Sequence, residues 1–513
     1  MSRLFQHRQA HAQALEPAPV RRGLIVGMLF VMAVLGFLSQ TDRQIPPTII
    51  LICSLLGISM LAFFGTAQPD LPLYVMVAYL PFSKILVGDF GGIMVALNLT
   101  NILLVIVFIN WMTGTSPVNY KTFQQHILHA PVLLMVGWVL LSFLRATFQY
   151  GSSWVPYYIG ENLGELKRWL DPIIVYFLYF HIVRDRQRWK TIVAILMLGV
   201  FIAALMAIRE YLTQSEGSSI ESSRIGGIAG QPNILGAFFV YYMFLFAAFW
   251  LERIKQLKYW SFLVPFLACF RGIMVTFSRG AYLAFAQGVL GLTYFKHKLL
   301  FALAVLAVVF AVLNPWVLPE GIRYRMRTTF KPDTELVDPY NAGALEQQLD
   351  MSSAVRLTIW RGAMVMIQEH PWFGIGLGRF PYDIKNYLQQ ERWIDAHNAY
   401  IITAAEFGIP ALIFLIVILL IVYRLTVIVY RHHPDPFIRT TALGFLGGLS
   451  GLFMANMFGS RLNTTEVSGY FWILAALMAR AHLWVREGQK TGEIEAYGPA
   501  FALKASPRHI RRT

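Results

Sequence analysis

The chain has 513 residues, of which 56% are hydrophobic and 14% charged, with a formal net charge of +15. A soluble domain carries about 25% charged residues, so an ordinary water-soluble fold is excluded. Apolar runs of roughly 17 to 20 residues recur from end to end, each long enough to cross a bilayer. They are continuous rather than alternating, which argues against a membrane β-barrel and for an all-α polytopic bundle.

In chain order, the opening "MSRLFQHRQAHAQALEPAPVRR" is too long and polar for the start of a cleaved signal, and no small-x-small cleavage site follows "VMAVLGFLSQ". The first apolar run is therefore expected to stay as a span. Spans are expected near 23–39, 47–65, 71–88, 93–111, 131–147, 171–183, 191–209, 232–251, 260–278, 281–295, 299–318, 403–429, 440–458 and 467–485. These amount to about 12 to 14 crossings, 171–183 and 281–295 being short ones. The division that follows is a tail at 1–22, a bundle of about eleven spans at 23–318, a large loop at 319–402, about three spans at 403–485 and a basic tail at 486–513.

The basic residues fix the expected orientation. "RDRQRWK" (184–190), "ERIKQLK" (252–258), "KHK" (296–298) and "RHHPDPFIR" (431–439) fall on one side, together with both tails. Lys and Arg mark the cytoplasmic side, so both termini are expected inside and the loop 319–402 outside. This accounts for the positive charge without a nucleic-acid partner. Cys53 and Cys269 lie in apolar runs without disulfide or metal spacing.

An unstructured connection as long as 319–402 is unusual. Within it "SSAVRLTIWRGAMVMIQEH" predicts an amphipathic helix, with Ser352 or Ser353 as cap, Val355, Ile359, Met366 and Ile367 on the apolar face, and His370-Pro371 as the stop. The expected fold is thus a helical bundle with one large external loop containing short helices.

Four polar stretches face the expected outer side. In "DAHNAYIITAAEFGIPALIFL", His397 is either an interfacial polar residue or a base, and Asn398 follows it. Glu406 stands nine positions on, so a regular helix turns it away from His397; packing and hydrogen bonding is its expected role. In "FRGIMVTFSRGAYLAF", Arg279 at a turn between spans reads as a snorkelling side chain or as a fixed cation for an anion. Arg271, inside the apolar run, reads as one half of a structural pair with an acid on another helix.

In "SSRIGGIAGQPNILGAFF", glycines form a flexible loop and Gln231-Pro232-Asn233 opens a helix, with Arg224 as a second candidate cation. Backbone N–H groups at such a start can hold an anion; an ordinary loop and helix start is the other reading. In "RLTIWRGAMVMIQEHPWFGIGLGRFPYD", the glycines lack the spacing and context of a nucleotide-binding motif, while Arg356, Arg361 and Arg379 form a positive set. Trp360, Trp372 and Trp393 read equally as a sugar-stacking wall or as membrane-interface anchors. No zinc motif and no glycosidase-like carboxylate pair appears. Several arginines and one histidine gather at the outer face, and the guanidinium fork suits phosphate.

The order "GGIAGQPNILGAFF", "VTFSRGAYLAF", "RLTIWRGAMVMIQEHPWFGIGLGRF", "HNAYIITAAEFGIPALIFL" resembles the O-antigen ligase and polymerase superfamily, bacterial inner-membrane glycosyltransferases of the GT-C type. The resemblance covers residues 130–460. It implies a periplasmic active face, a glycan donor on undecaprenyl diphosphate, and an inverting displacement needing neither metal nor other cofactor. It implies a catalytic histidine at His397, the arginine of an "SRG" motif at Arg279 and a loop arginine at Arg224. Asn233, Arg356, Arg361 and Asn398 are then candidate substrate contacts, with Glu406 and Arg271 structural. The expected partners are the lipid-linked glycan, a sugar acceptor, membrane lipids and other polysaccharide-assembly proteins. The expected activity is that of an exopolysaccharide or O-antigen polymerase, on the strength of the long chain and extended loop. Ligation to lipid A core is the alternative, and a glycan or small-anion permease the reading from another class.

Overall fold

Backbone at membrane depth must satisfy its own hydrogen bonds, and these apolar runs do so as helices. In the computed structural model of the protein, residues 70–85, 99–113, 124–149, 155–214, 223–329, 351–388, 395–459, 461–462 and 464–492 are described. Among them every regular element is helical. The expected spans at 23–39 and 47–65, Cys53, the tail at 1–22, the part of the expected basic tail from 493 to 513 and Trp393 lie outside the described residues, while residues 486–490 continue the last helix.

The helices are α1 (Leu71–Tyr79), α2 (Leu99–Thr113), α3 (His129–Gln149), α4 (Val155–Ile182), α5 (Arg186–Thr213), α6 (Pro232–Glu252), α7 (Leu263–Val275), α8 (Arg279–Lys296) and α9 (Lys298–Leu313). There follow α10 (Glu320–Thr329), α11 (Met351–Glu369), α12 (Phe380–Asp383), α13 (Lys385–Leu388), α14 (Ala399–Phe407), α15 (Ile409–His432), α16 (Pro436–Ala455) and α17 (Thr465–Lys490). Six helical segments among the described residues are long and apolar enough to cross a membrane: α3, α5, α6, Leu257–Val275, α15 and α16. The protein is an all-α, multi-pass membrane bundle.

Its centre is α6, apolar on all sides and 83% buried along its most apolar stretch. Against it lies α16, whose glycines let the backbones come together. A Cβ at Gly448 would stand 2.0 Å from the Tyr241 carbonyl oxygen. The opposite side of α16 meets α8, where a Cβ at Gly291 would stand 2.1 Å from Ser450 Oγ. Such close approach replaces the hydrophobic drive that lipid removes.

Two ends of the bundle differ in chemistry. At one, Lys190 pairs with Asp435 at 2.6 Å and Lys296 with Glu252 at 2.8 Å. This end carries all four basic connections. The other end gathers the starts of α6, α8 and α17, the ends of α7 and α16, and helices α10 to α14. Helices α11 to α14 enclose a second core of Ile359, Ala363, Met366, Phe380, Ile384 and Ala405. Ile359 and Met366 are buried as the apolar pattern expects, and Val355 and Ile367 pack against them.

Three expectations change. The short span at 171–183 is the second half of α4, a helix of 28 residues with Pro172 inside it. Its first half bears Glu165, Lys167 and Arg168, paired locally as Arg168–Glu165 at 2.9 Å and Lys167–Asp171, which kept it below a membrane-like hydropathy. The span at 403–429 is broken at Gly408, so α14 stands apart from the membrane helix α15. Ser352 and Ser353 lie inside α11, which is already helical at Met351, so neither is its cap.

Candidate active site

The turn before α6 is the meeting point. Pro232 takes the first helical position, where its missing N–H leaves nothing unsatisfied. Asn233 Oδ1 accepts from Arg224 Nη2 at 2.8 Å, while Arg224 Nε donates to the Thr276 carbonyl at 3.0 Å. The guanidinium is thereby braced between α6 and the end of α7. Arg279, two residues beyond the Phe277 bend, opens α8 and donates from Nη1 to Thr329 Oγ1 of α10 at 2.7 Å. Arg325 of α10 and Arg224 both act electrostatically on the Tyr282 hydroxyl of α8. Three guanidinium groups therefore border one region.

The glycine loop is firmly held. The N–H groups of Gly226 and Gly227 are bound by the Glu210 carboxylate, and Lys84 Nζ donates to the Ala229 carbonyl at 2.9 Å. These two glycine amides are thus engaged by a protein carboxylate.

The other side of the turn holds Arg461. Its Nη1 stands 3.5 Å from Gln231 Oε1, and the residue is only 4% exposed. A Cβ at Gly459 would stand 2.3 Å from the Arg461 Cζ, so glycine is what lets the side chain fold back on its own connection. Asn456 ties this connection to its neighbours. Its Nδ2 donates to the Tyr241 hydroxyl at 2.9 Å, its Oδ1 accepts from the Arg461 N–H at 3.3 Å, and its carbonyl accepts from the Ala399 N–H at 2.8 Å. The last bond brings in the segment that carries His397. A Cβ at Gly280 would meet Phe458 at 2.9 Å, so the start of α8 packs on the same connection. Arg224, Arg279, Arg461 and His397 are joined through one set of contacts.

His397 sits just before α14 with φ +47°, in the left-handed region. Its Nδ1 is 3.1 Å from Asp395 Oδ2, and both side chains are partly exposed. Burial pushes the Asp395 carboxyl up, yet the His397 imidazole and N–H, with the Arg461 charge, hold it below the usual carboxylate range. Burial lowers the Arg461 guanidinium; Tyr241 and Asp395 oppose this and Arg356 reinforces it. Arg356 of α11 therefore faces the same group. Asn398 is the N-cap of α14: Oδ1 accepts from the Tyr400 and Ile401 N–H groups at 3.0 and 3.1 Å.

The remaining candidates lie in other settings. Arg361 is exposed, and Arg379 is bound to both carboxylate oxygens of Asp383. Arg271 lies over the Tyr211 ring, its Cζ 4.9 Å from the centroid; the acid partner expected for it is not found among the described residues. Trp360 Nε1 donates to the Ala396 carbonyl at 2.8 Å, next to the histidine turn, and Trp372 is 68% exposed.

Glu406 belongs to a different construction. Ile375 and Gly376 donate to the Ala405 and Glu406 carbonyls at 2.9 and 3.0 Å, satisfying the end of α14 where Gly408 breaks the helix. The Glu406 carboxyl accepts from the Gly378 and Phe380 N–H groups. Burial pushes it up to about 8 in spite of those donors. From α3, Ser142 Oγ donates to the Phe373 and Glu406 carbonyls, and Trp138 Nε1 to those of Trp372 and Phe407. The "GIGLG" glycines thus wrap an acid of the protein itself, and Glu406 is buried and hydrogen-bonded there.

Sequence reasoning passed over Arg461, Asp395 and Asn456. Asp395 was in plain sight, two residues before His397. Arg461 carried one usable signal: a lone arginine in a connection on the side where basic residues are scarce. Among the described residues no three His, Cys, Asp or Glu side chains stand together as metal ligands.

Residues 264–416 match the family model of the O-antigen ligases. The match takes in Arg279, Arg356, His397 and Glu406, with Arg224 before it and Arg461 after it. No curated protein matches the chain. The match spans less than a third of the chain, and over that stretch the chain is similar to the O-antigen ligases, a likeness that points to a membrane glycosyltransferase-like enzyme.

Proposed function

We propose that the protein is a polysaccharide polymerase that transfers glycan from undecaprenyl diphosphate to a sugar hydroxyl of a lipid-linked acceptor, at the periplasmic face of a bacterial inner membrane. The observation that carries this reading is the joining of Arg224, Arg279, Arg461 and His397 around the start of α6. Arginines braced by protein carbonyls and amides are preorganised for a diphosphate. A histidine beside them can take the proton of an incoming hydroxyl.

In the reaction, the acceptor oxygen forms a bond to the anomeric carbon as the bond from that carbon to the diphosphate oxygen breaks. The hydroxyl proton passes to His397, and the lipid diphosphate leaves with its charge held by Arg224 and Arg279. Attack opposite the leaving group inverts the anomeric centre. The diphosphate is already a good leaving group, and the fixed cations supply the electrostatic help that the step needs. Arg356, one turn before Trp360 on α11, is suited to the acceptor side. Ligation to lipid A core is a second reading, favoured by the description of the matching family as ligases.

The test is transfer in liposomes containing the purified protein and an undecaprenyl-diphosphate glycan, with and without lipid A core. Longer lipid-linked chains mark a polymerase, and product on lipid A core a ligase. Movement of glycan without bond exchange marks a permease and overturns both. His397→Ala is expected to lower turnover by about 10²- to 10⁴-fold, and Arg279→Ala by about 10²- to 10³-fold. Near-normal turnover in either folded variant removes that residue from the mechanism.

A further inference from the structure

His397 is held in its unusual backbone conformation from both sides. Before it, the Ala396 carbonyl accepts from Trp360 Nε1; after it, Ala399 is bonded to Asn456 and Asn398 caps α14. A non-glycine residue kept in the left-handed region by several neighbours is a recurrent feature of functional turns. Here the conformation turns the imidazole back on the chain, with Nδ1 3.1 Å from Asp395 Oδ2. Asp395 in turn lies in the field of the buried Arg461.

We propose that Asp395 is a positioning residue of the transfer reaction. Its carboxylate, beside Nδ1, orients His397 by charge so that Nε2 is left for the acceptor hydroxyl, and Arg461 keeps that carboxylate in place. The inference rests on the reading of His397 as the base.

A neutral imidazole carries its proton on one nitrogen and accepts through the other. A base working at Nε2 needs the proton on Nδ1, and a carboxylate beside Nδ1 fixes that tautomer. After Nε2 takes the hydroxyl proton, the same carboxylate offsets the positive charge formed on the ring. Asp395 is acted on by Arg461 from the connection after α16 and interacts with Glu406 from α14, while Arg356 from α11 and Tyr241 from α6 act on Arg461. Arg461 favours an ionised Asp395. Arg461 is thereby distinguished from Arg224 and Arg279: it serves the base, while they serve the leaving group.

The experiment measures kcat, donor KM and pH–rate profiles for wild type, Asp395→Asn, Asp395→Glu, Arg461→Lys and His397→Ala, all full length in liposomes. Asp395→Asn keeps the size of the side chain and removes its charge. It is expected to lower kcat by about 10²-fold or more, with donor KM changed less than about threefold and the acid limb of the profile moved to lower pH. Asp395→Glu is expected to recover part of the lost kcat, and Arg461→Lys to lower kcat less than Asp395→Asn does. A folded Asp395→Asn with wild-type kcat and profile, beside an inactive His397→Ala, overturns this inference alone. So does a loss confined to donor KM. A loss in Asp395→Asn that leaves the acid limb unmoved and is not relieved by Asp395→Glu also overturns it, since that pattern marks a structural role. Near-normal turnover in His397→Ala overturns the underlying reading of the base itself.

Discussion

Glu406 is a carboxyl group kept from water by its own fold, with the N–H groups of Gly378 and Phe380 as its donors. Burial wins over those donors and pushes it up to about 8, from the usual 4.5 of a glutamate in water. The folded protein then holds a proton that the unfolded chain releases as pH rises past about 4.5. Stability therefore falls between about pH 4.5 and 8, by an amount on the order of a few kcal/mol. Glu406→Gln keeps an acceptor for the two N–H groups and has no proton to lose. Its thermal midpoint in detergent is expected to stay flat over this range while that of the wild type declines. Parallel slopes for the two proteins would show that the wild-type decline comes from other groups. The same residue marks a limit of local reading. Nine residues separate it from His397, which was enough to part the two, but its partners lie in the glycine loop and could not be seen from spacing.

At the scale of elements, the clearest test is the contact of α16 with α6. Gly448→Ala sets a methyl 2.0 Å from the Tyr241 carbonyl oxygen and is expected to cost about 1–3 kcal/mol by overpacking. A Cβ added at Gly137 of α3 would have nothing within 4 Å, so Gly137→Ala is expected to be neutral or to gain up to about 1 kcal/mol. Equal losses of thermal stability in the two variants would deny the close packing any special weight. Helices of this kind were legible because long apolar runs admit one solution in a membrane. The break at Gly408 was not: Gly408 and Pro410 are a stop and a start signal, yet apolar residues run through both. What demands the break is tertiary, since a Cβ at Gly408 would stand 2.0 Å from the Trp372 carbonyl oxygen. The first half of α4 escaped for the opposite reason, its charged residues hiding a continuous helix. In the site, His397, Arg224 and Arg279 stood out as polar groups beside apolar runs. Asp395 and Arg461 did not, because their significance lies in contacts that only the assembled bundle creates.

For the whole molecule, the separation of charge between the two ends decides how the site meets its substrates. The basic connections share one end, fastened there by Lys190–Asp435 and Lys296–Glu252, while His397 and the arginines around the start of α6 share the other. Positive residues resist passage across the membrane, so the basic end is expected in the cytoplasm and the site end outside. Two exposed positions test this, Lys255 after α6 and Lys385 on α13. In a Cys53→Ser, Cys269→Ser background, cysteine at position 385 is expected to react with an impermeant maleimide in spheroplasts. Cysteine at position 255 is expected to react only after the membrane is permeabilised. The reverse pattern would turn the arginines toward the cytoplasm, where a donor displayed on the outer leaflet cannot reach them, and the proposed transfer would lose its substrate. Equal labelling of both positions before permeabilisation would remove the bundle's single orientation and with it the reason for a one-sided site.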